Sequence, residues 1–152
     1  MTIIKKEETE NILNGLKNKK IVFTNGCFDI LHIGHVKYLR ESKKYGDILI
    51  VGLNSDSSVK KLKGENRPIN NEKDRAELLD ELKCVDYVVI FEESSPIELL
   101  DIIKPNTYTK GADYTIDTLP EAKTVIQNGG RVEFIKFVEG KSTTNILKEL
   151  DR

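Results

Sequence analysis

The sequence predicts an α/β fold: a single doubly wound, mainly parallel sheet. Three observations carry this. Short apolar runs alternate with amphipathic stretches along the chain, as βαβ units require. One of them, Asp47-Ile48-Leu49-Ile50-Val51-Gly52-Leu53, is nearly continuous, as a strand covered on both faces must be. The first run, Ile21-Val22-Phe23, passes at once into Thr24-Asn25-Gly26-Cys27-Phe28-Asp29 and Ile30-Leu31-His32-Ile33-Gly34-His35, and then into a helical pattern with Val36 and Leu39. That is a strand-to-helix turn, where such sheets bind phosphate.

The chain of 152 residues suits one domain with a single core. Hydrophobic residues make up 38% and charged residues 32%, the balance of a soluble globule. The net charge of −1 excludes a global basic field, so no nucleic-acid partner is expected. No apolar run is long enough to span a bilayer, and charge interrupts Thr2-Ile3-Ile4-Lys5-Lys6 too soon for a secretory signal. Cys27 and Cys84 stand alone, without metal or redox spacing. A cytoplasmic protein with no membrane partner is expected.

Residues 1–19 form an N-terminal helix or arm: Ile12, Leu13 and Leu16 make one helical stripe, in a segment otherwise polar enough to fray. The main domain covers 20–152. Its first strand is Ile21 to Thr24, and its first helix runs from Ile33 to Tyr45, stopped by Gly46. After the second strand, Asn54-Ser55-Asp56 can cap a short helix. Lys60 to Arg67 reads as a basic loop closed by Pro68. Asn71 caps a helix from Glu72 to Leu82 with a buried stripe of Leu78, Leu79 and Leu82. Tyr87 to Phe91 is the third strand. Ser94 or Ser95 with Pro96 opens the next helix, buried through Leu99, Leu100, Ile102 and Ile103 and ended at Lys104-Pro105. Thr107 to Thr109 is a short strand, Pro120 to Asn128 a helix, and Val132 to Phe137 the final strand. Ser142-Thr143-Thr144-Asn145 caps a last helix through Ile146, Leu147 and Leu150.

Both histidines of the chain sit three apart at one helix start, on one face. There they point with free backbone N–H groups toward any bound anion, and Gly34 between them lets a phosphate come close. Imidazolium N–H groups stabilise charge that grows on a phosphate during displacement. The competing readings are structural or metal-binding histidines. Metal is the weaker, since Asp29 is the only carboxylate nearby; no protein metal site is expected. Asp29 itself suits a turn organiser that bonds the backbone of the Gly26 turn.

The pattern Gly26-x-Phe28-Asp29-x-x-His32-x-Gly34-His35 resembles the signature of the HxGH nucleotidyltransferase superfamily, in its cytidylyltransferase-like branch. The resemblance runs from about Ile21 to the C-terminus and implies a Rossmann-like nucleotidyltransferase fold. Asn54-Ser55-Asp56, Arg67-Pro68-Ile69-Asn70, Lys110-Gly111-Ala112-Asp113-Tyr114 and Ser142-Thr143-Thr144 are most similar to the heptose 1-phosphate adenylyltransferases. That similarity implies in-line attack of a sugar 1-phosphate on the α-phosphate of ATP, with pyrophosphate leaving and no covalent enzyme intermediate. The sugar implied is D-glycero-β-D-manno-heptose 1-phosphate and the product ADP-heptose, for a surface polysaccharide.

What the resemblance implies for single residues follows the motifs. His32 and His35 contact the triphosphate as catalytic residues, with His35 nearest the α-phosphate. Asn25, Gly26, Phe28 and Gly34 line the nucleotide. Lys60, Lys61 and Lys63, with Arg67, close over ATP and the sugar phosphate: Lys63 in catalysis, the others toward substrate. The alternative is a solvated loop. Arg75 reaches the phosphates, or else forms an ordinary surface salt bridge worth about 0–1 kcal/mol. Lys110, Gly111 and Asp113 surround the base or ribose, although Gly and Asp equally favour a plain turn. Ser142 and Thr143 bind the triphosphate, cap the last helix, or do both. Mg²⁺ accompanies ATP through phosphate oxygens and water. A homodimer and a separate heptose kinase are the implied partners, beside the small-molecule substrates.

Three further readings compete. A glycerol 3-phosphate cytidylyltransferase shares the turn and the serine–threonine helix, and differs in nucleotide and acceptor. A non-catalytic nucleotide-binding module is disfavoured because both histidines are present. A dinucleotide-binding oxidoreductase is disfavoured because the first turn lacks Gly-x-Gly-x-x-Gly.

Overall fold

A computed structural model describes residues 2–136 and 143–151, with the backbone alone for Thr143. Apolar, β-branched runs form the strands, and they assemble into one six-stranded sheet, parallel throughout. The elements in order are β1 (Ile3–Ile4), α1 (Thr9–Asn14), β2 (Ile21–Gly26), α2 (Ile33–Lys43), β3 (Ile48–Asn54), α3 (Asp56–Lys63) and α4 (Glu72–Asp80). Then come β4 (Tyr87–Phe91), α5 (Ile97–Ile103), β5 (Thr107–Gly111), α6 (Ala122–Gln127), β6 (Arg131–Ile135) and α7 (Thr143–Leu150). The sheet order is β1-β4-β3-β2-β5-β6. The chain winds outward from β2 through β3 to β4, then returns to the other side of β2 as β5. The switch point therefore lies between β2 and β5, where an open parallel sheet opens a crevice at its carboxyl edge.

Two cores flank the sheet. On one face, Leu99, Leu100 and Ile103 of α5 and Ala122 and Val125 of α6 pack on Phe23, Ile50, Phe91 and Tyr108. On the other, Leu39 of α2 and Ala76 and Leu79 of α4 pack on Val22, Leu49, Val51, Leu53 and Val88. Alternate residues of one strand thus feed opposite cores, as the period of two demands. Gly52 of β3 lies where a Cβ would meet Phe23 Cζ at 2.6 Å, so glycine there admits the ring.

Some elements differ from the sequence-based expectation. The N-terminal segment holds the expected short helix, but Ile3–Ile4 also joins the sheet as its edge strand against Val88–Val89. Lys60, Lys61 and Lys63 belong to α3 rather than to a loop: the Ser55 side chain caps that helix by accepting from the Ser58 amide. The Asn71 cap forms as expected, accepting from the Asp74 amide. In α4, however, Leu79 is buried while Leu78 is 47% exposed, and Arg75 takes the buried position. Phe137 and Ser142 lie outside the described residues.

Candidate active site

The turn after β2 is built around two imidazoles. His32 is the N-cap of α2, and its Nδ1 accepts the Gly34 amide at 3.1 Å. His35, one turn on, accepts the His32 amide at its own Nδ1 at 3.3 Å. The rings stack with centroids 3.8 Å apart. Since both Nδ1 atoms receive an N–H, the hydrogen of each neutral ring stands on Nε2. The His35 amide is also engaged, with the His32 carbonyl at 3.0 Å. This corrects the expectation of free amides around Gly34. The turn uses its backbone donors to fix the two rings, and the imidazoles become the donors.

Phe28 completes the turn. Its φ of 44° is left-handed, a strained state for a bulky residue. The ring lies edge-on to His35, 5.2 Å between centroids. Gly26 makes room for it: a Cβ there would stand 3.0 Å from Phe28 Cε2. Burial, with the charge of His32 second, lowers the His35 pKa from 6.5 to about 4. His35 is therefore a neutral donor at neutral pH, not the expected imidazolium.

A cavity of about 870 Å³ opens over this turn along the carboxyl edge of the sheet. Of the residues singled out in the sequence, Asn25, Gly26, Phe28, His32, Gly34, His35, Lys63, Arg67, Lys110 and Gly111 line it. Lys60, Lys61 and Asp113 are exposed and outside its lining. Ser142 lies outside the described residues, as does the side chain of Thr143; Thr144 reaches the cavity.

Arg75 departs most from expectation. It is fully buried, and its guanidinium donates to the carbonyls of Asn70, Cys27 and Asn54 and to the Asp56 carboxylate. Neither a phosphate contact nor a surface salt bridge describes it. It ties the ends of β2 and β3 to the start of α4. Asp29 also has a different task from organising the Gly26 turn. Its carboxylate accepts from the amides of Ile69 and Asn70 at 2.9 Å and from Arg67 Nε at 2.7 Å. Burial pushes its pKa up, but those amides and Arg67 outweigh it and hold the carboxyl below its ordinary range. Asp29 thereby positions Arg67 at the cavity wall.

Sequence reasoning missed the opposite wall. Ser94, Pro96, Ile97, Leu119, Pro120 and Glu121 line it from the starts of α5 and α6. No motif marks them; only the sheet order brings those helix starts to the crevice. Burial lowers the Lys110 pKa, while the charge of Glu121 opposes this. Burial likewise pushes the Cys27 thiol up, so it is no ready nucleophile.

A parallel sheet with a His-x-Gly-His turn beside its switch point defines a nucleotidyltransferase. The profile of the cytidylyltransferase-like family matches residues 23–148. The chain belongs to the cytidylyltransferase-like family. It is 58% identical to the bifunctional protein HldE of Aliarcobacter butzleri, covering 95% of this chain and 30% of that protein. Against HldE of Geobacter metallireducens the identity is 54%, over 90% of this chain and 28% of the relative. The chain thus spans under a third of the length of these relatives. Among solved structures it resembles a lipopolysaccharide core biosynthesis protein from Thermoplasma volcanium, with a TM-score of 0.65 and 34% identity over 79% of this chain and 97% of that one. A pantoate–β-alanine ligase from Francisella tularensis shares the fold, with a TM-score of 0.63 at 17% identity over all of this chain and 80% of the other.

Proposed function

We propose that this nucleotidyltransferase moves AMP from ATP to a sugar 1-phosphate, D-glycero-β-D-manno-heptose 1-phosphate, releasing pyrophosphate and giving ADP-heptose. The observation that carries the reading is the pair of imidazoles whose Nδ1 atoms both accept backbone N–H groups. Both Nε2–H groups are thereby pre-oriented as donors for a phosphate chain, with no reorganisation needed as charge develops. The HldE relatives, and the resemblance of the Arg67–Asn70 and Lys110–Tyr114 stretches to heptose 1-phosphate adenylyltransferases, support the choice of nucleotide and acceptor. The Thermoplasma structure, called a lipopolysaccharide core biosynthesis protein, agrees with a surface-polysaccharide destination.

In this mechanism an oxygen of the acceptor phosphate forms a bond to the α-phosphorus of ATP as the bond to the bridging oxygen breaks. His35 and His32 donate to the non-bridging and leaving oxygens. Lys63 and Arg67, at the cavity wall, balance the charge of the two substrates. The high thiol pKa of Cys27 fits direct displacement rather than a covalent enzyme intermediate. Mg²⁺ would arrive with ATP, held on phosphate oxygens and water. Asp29, the carboxylate beside the turn, is already committed to Arg67, Ile69 and Asn70. No helix among the described residues is long and apolar enough to cross a membrane.

Pyrophosphate release, measured with each of ATP, CTP, GTP and UTP against a panel of sugar 1-phosphates and glycerol 3-phosphate, tests the reading. ATP with the heptose 1-phosphate is expected to give the highest kcat/KM. Preferential turnover of CTP with glycerol 3-phosphate would overturn it.

A further inference from the structure

Glu121 stands at the start of α6, on the cavity wall, and is only 9% exposed. Its Oε1 accepts the Tyr108 hydroxyl at 3.0 Å. Tyr108 is itself fully buried and stacks on Phe23, and its single O–H is shared between Glu121 Oε1 and the side-chain Oδ1 of Asn25. The carboxylate is therefore held in one orientation by a rigid phenol, while Oε2 has no hydrogen bond among the described residues. A nearly buried carboxylate on a cavity wall, fixed by a phenol, has the features of a recognition element.

We propose that Glu121 is a specificity-determining residue whose carboxylate, oriented by Tyr108, accepts hydrogen bonds from the ring hydroxyls of the acceptor sugar. The inference rests on the proposed transfer to a sugar 1-phosphate. Three features point to the acceptor. The histidine turn belongs to the α2 face of the sheet and Glu121 to the α5/α6 face, on opposite sides of the strand ends. In-line displacement sets the attacking and leaving oxygens on opposite sides of the α-phosphate, so a leaving pyrophosphate at the histidines puts the acceptor on the Glu121 side. A carboxylate repels phosphate, so the group it faces is uncharged and rich in O–H donors. Lys110 lies within the field of Glu121 and supplies a cation beside it, while Leu119 and Pro96 add apolar surface. A cation for phosphate, a carboxylate for hydroxyls and an apolar wall for ring C–H groups match a sugar phosphate.

The test is steady-state pyrophosphate release by the full chain and its Glu121→Gln variant, varying ATP and the sugar 1-phosphate in turn. The KM for the sugar 1-phosphate is expected to rise about ten- to hundredfold, with the KM for ATP within about twofold of wild type. Tyr108→Phe should move the same constant in the same direction, by less. An unchanged acceptor KM, or a rise confined to ATP, overturns the assignment. A second measurement does not depend on the variants folding: wild-type protein is assayed with deoxy analogues of the sugar 1-phosphate. Loss of at least one ring hydroxyl should raise KM by about tenfold or more, and indifference to all of them overturns the proposal. If wild type releases no pyrophosphate with any sugar 1-phosphate, both readings fall. Normal turnover with an unaltered acceptor KM in Glu121→Gln removes the role of Glu121 alone.

Discussion

His35 stacks on His32 with ring centroids 3.8 Å apart, and its Nδ1 receives the His32 backbone N–H at 3.3 Å. The two imidazoles are thus one unit, locked from the protein side through both Nδ1 atoms. Replacing His35 with alanine removes a donor aimed at the developing charge. Turnover should fall by about 100–1000-fold. The ring packs on Phe28 and bonds a single amide, so the sheet and both cores should survive. Circular dichroism and a cooperative melt, alongside pyrophosphate release, check both parts.

The same burial gives His35 a pH signature. Its folded pKa of about 4 lies below the ordinary 6.5, so between those values the unfolded chain binds more protons. The stability contribution is therefore complete above pH 6.5 and declines as the pH falls toward 4, by about 3 kcal/mol at most. Urea unfolding at pH 7.5 and pH 4.5 should show a larger loss in wild type than in His35→Asn, which has no group to titrate.

Arg75 is the residue for which burial reverses the sequence expectation. Its four hydrogen bonds join three carbonyls and Asp56, and lysine offers neither the fork nor the reach to satisfy them. Arg75→Lys should cost about 3 kcal/mol of stability by leaving buried carbonyls unpaired. The midpoint of urea unfolding measures this. Once folded, the variant should keep its KM values for ATP and acceptor closer to wild type than Arg67→Lys does.

The strands β2 to β4 and the histidine turn were legible because each rests on local chemistry: apolar runs for the strands, and two histidines flanking a glycine at a helix start. Ile3–Ile4 was not, because two apolar residues become a strand only when the β4 edge is there to pair with. The lysines of α3 read as a loop because eight of the nine residues from Lys60 to Pro68 are polar, glycine or proline; the Ser55 cap and Val59 packing decide otherwise. Arg75 and Glu121 carry no sequence signal for their burial. Their environments are set by the order in which distant strands assemble, which composition does not encode.

The helical setting of the lysines separates their roles. All three are exposed, but only Lys63, which closes α3, lines the cavity. Lys63→Ala should lower kcat/KM by about ten- to hundredfold through loss of a charge-assisted bond to phosphate. Lys60→Ala and Lys61→Ala should each stay within about twofold of wild type. Initial rates across the three variants decide the matter.

Asp29 couples the turn to Arg67, and its replacement tests whether that link positions the arginine. The Asp29 side chain is 1% exposed and accepts two amides as well as Arg67 Nε. In Asp29→Asn an amide N–H₂ must face one of those donors, and the buried ion pair is lost. The expected cost is about 3 kcal/mol at pH 7. Because the native carboxyl is held below its ordinary 3.8, the stabilisation is present above that pH and is lost as the pH falls through the lower, folded value. The stability gap between wild type and variant should therefore narrow in acid, which a simple packing defect would not do. Arg67, no longer held at the wall, should bind phosphate less well, so the substrate KM values should rise while the melt at pH 7 still reports a folded protein. A variant with lowered stability but unchanged KM values would show that Asp29 holds the 67–70 segment without setting the position of Arg67.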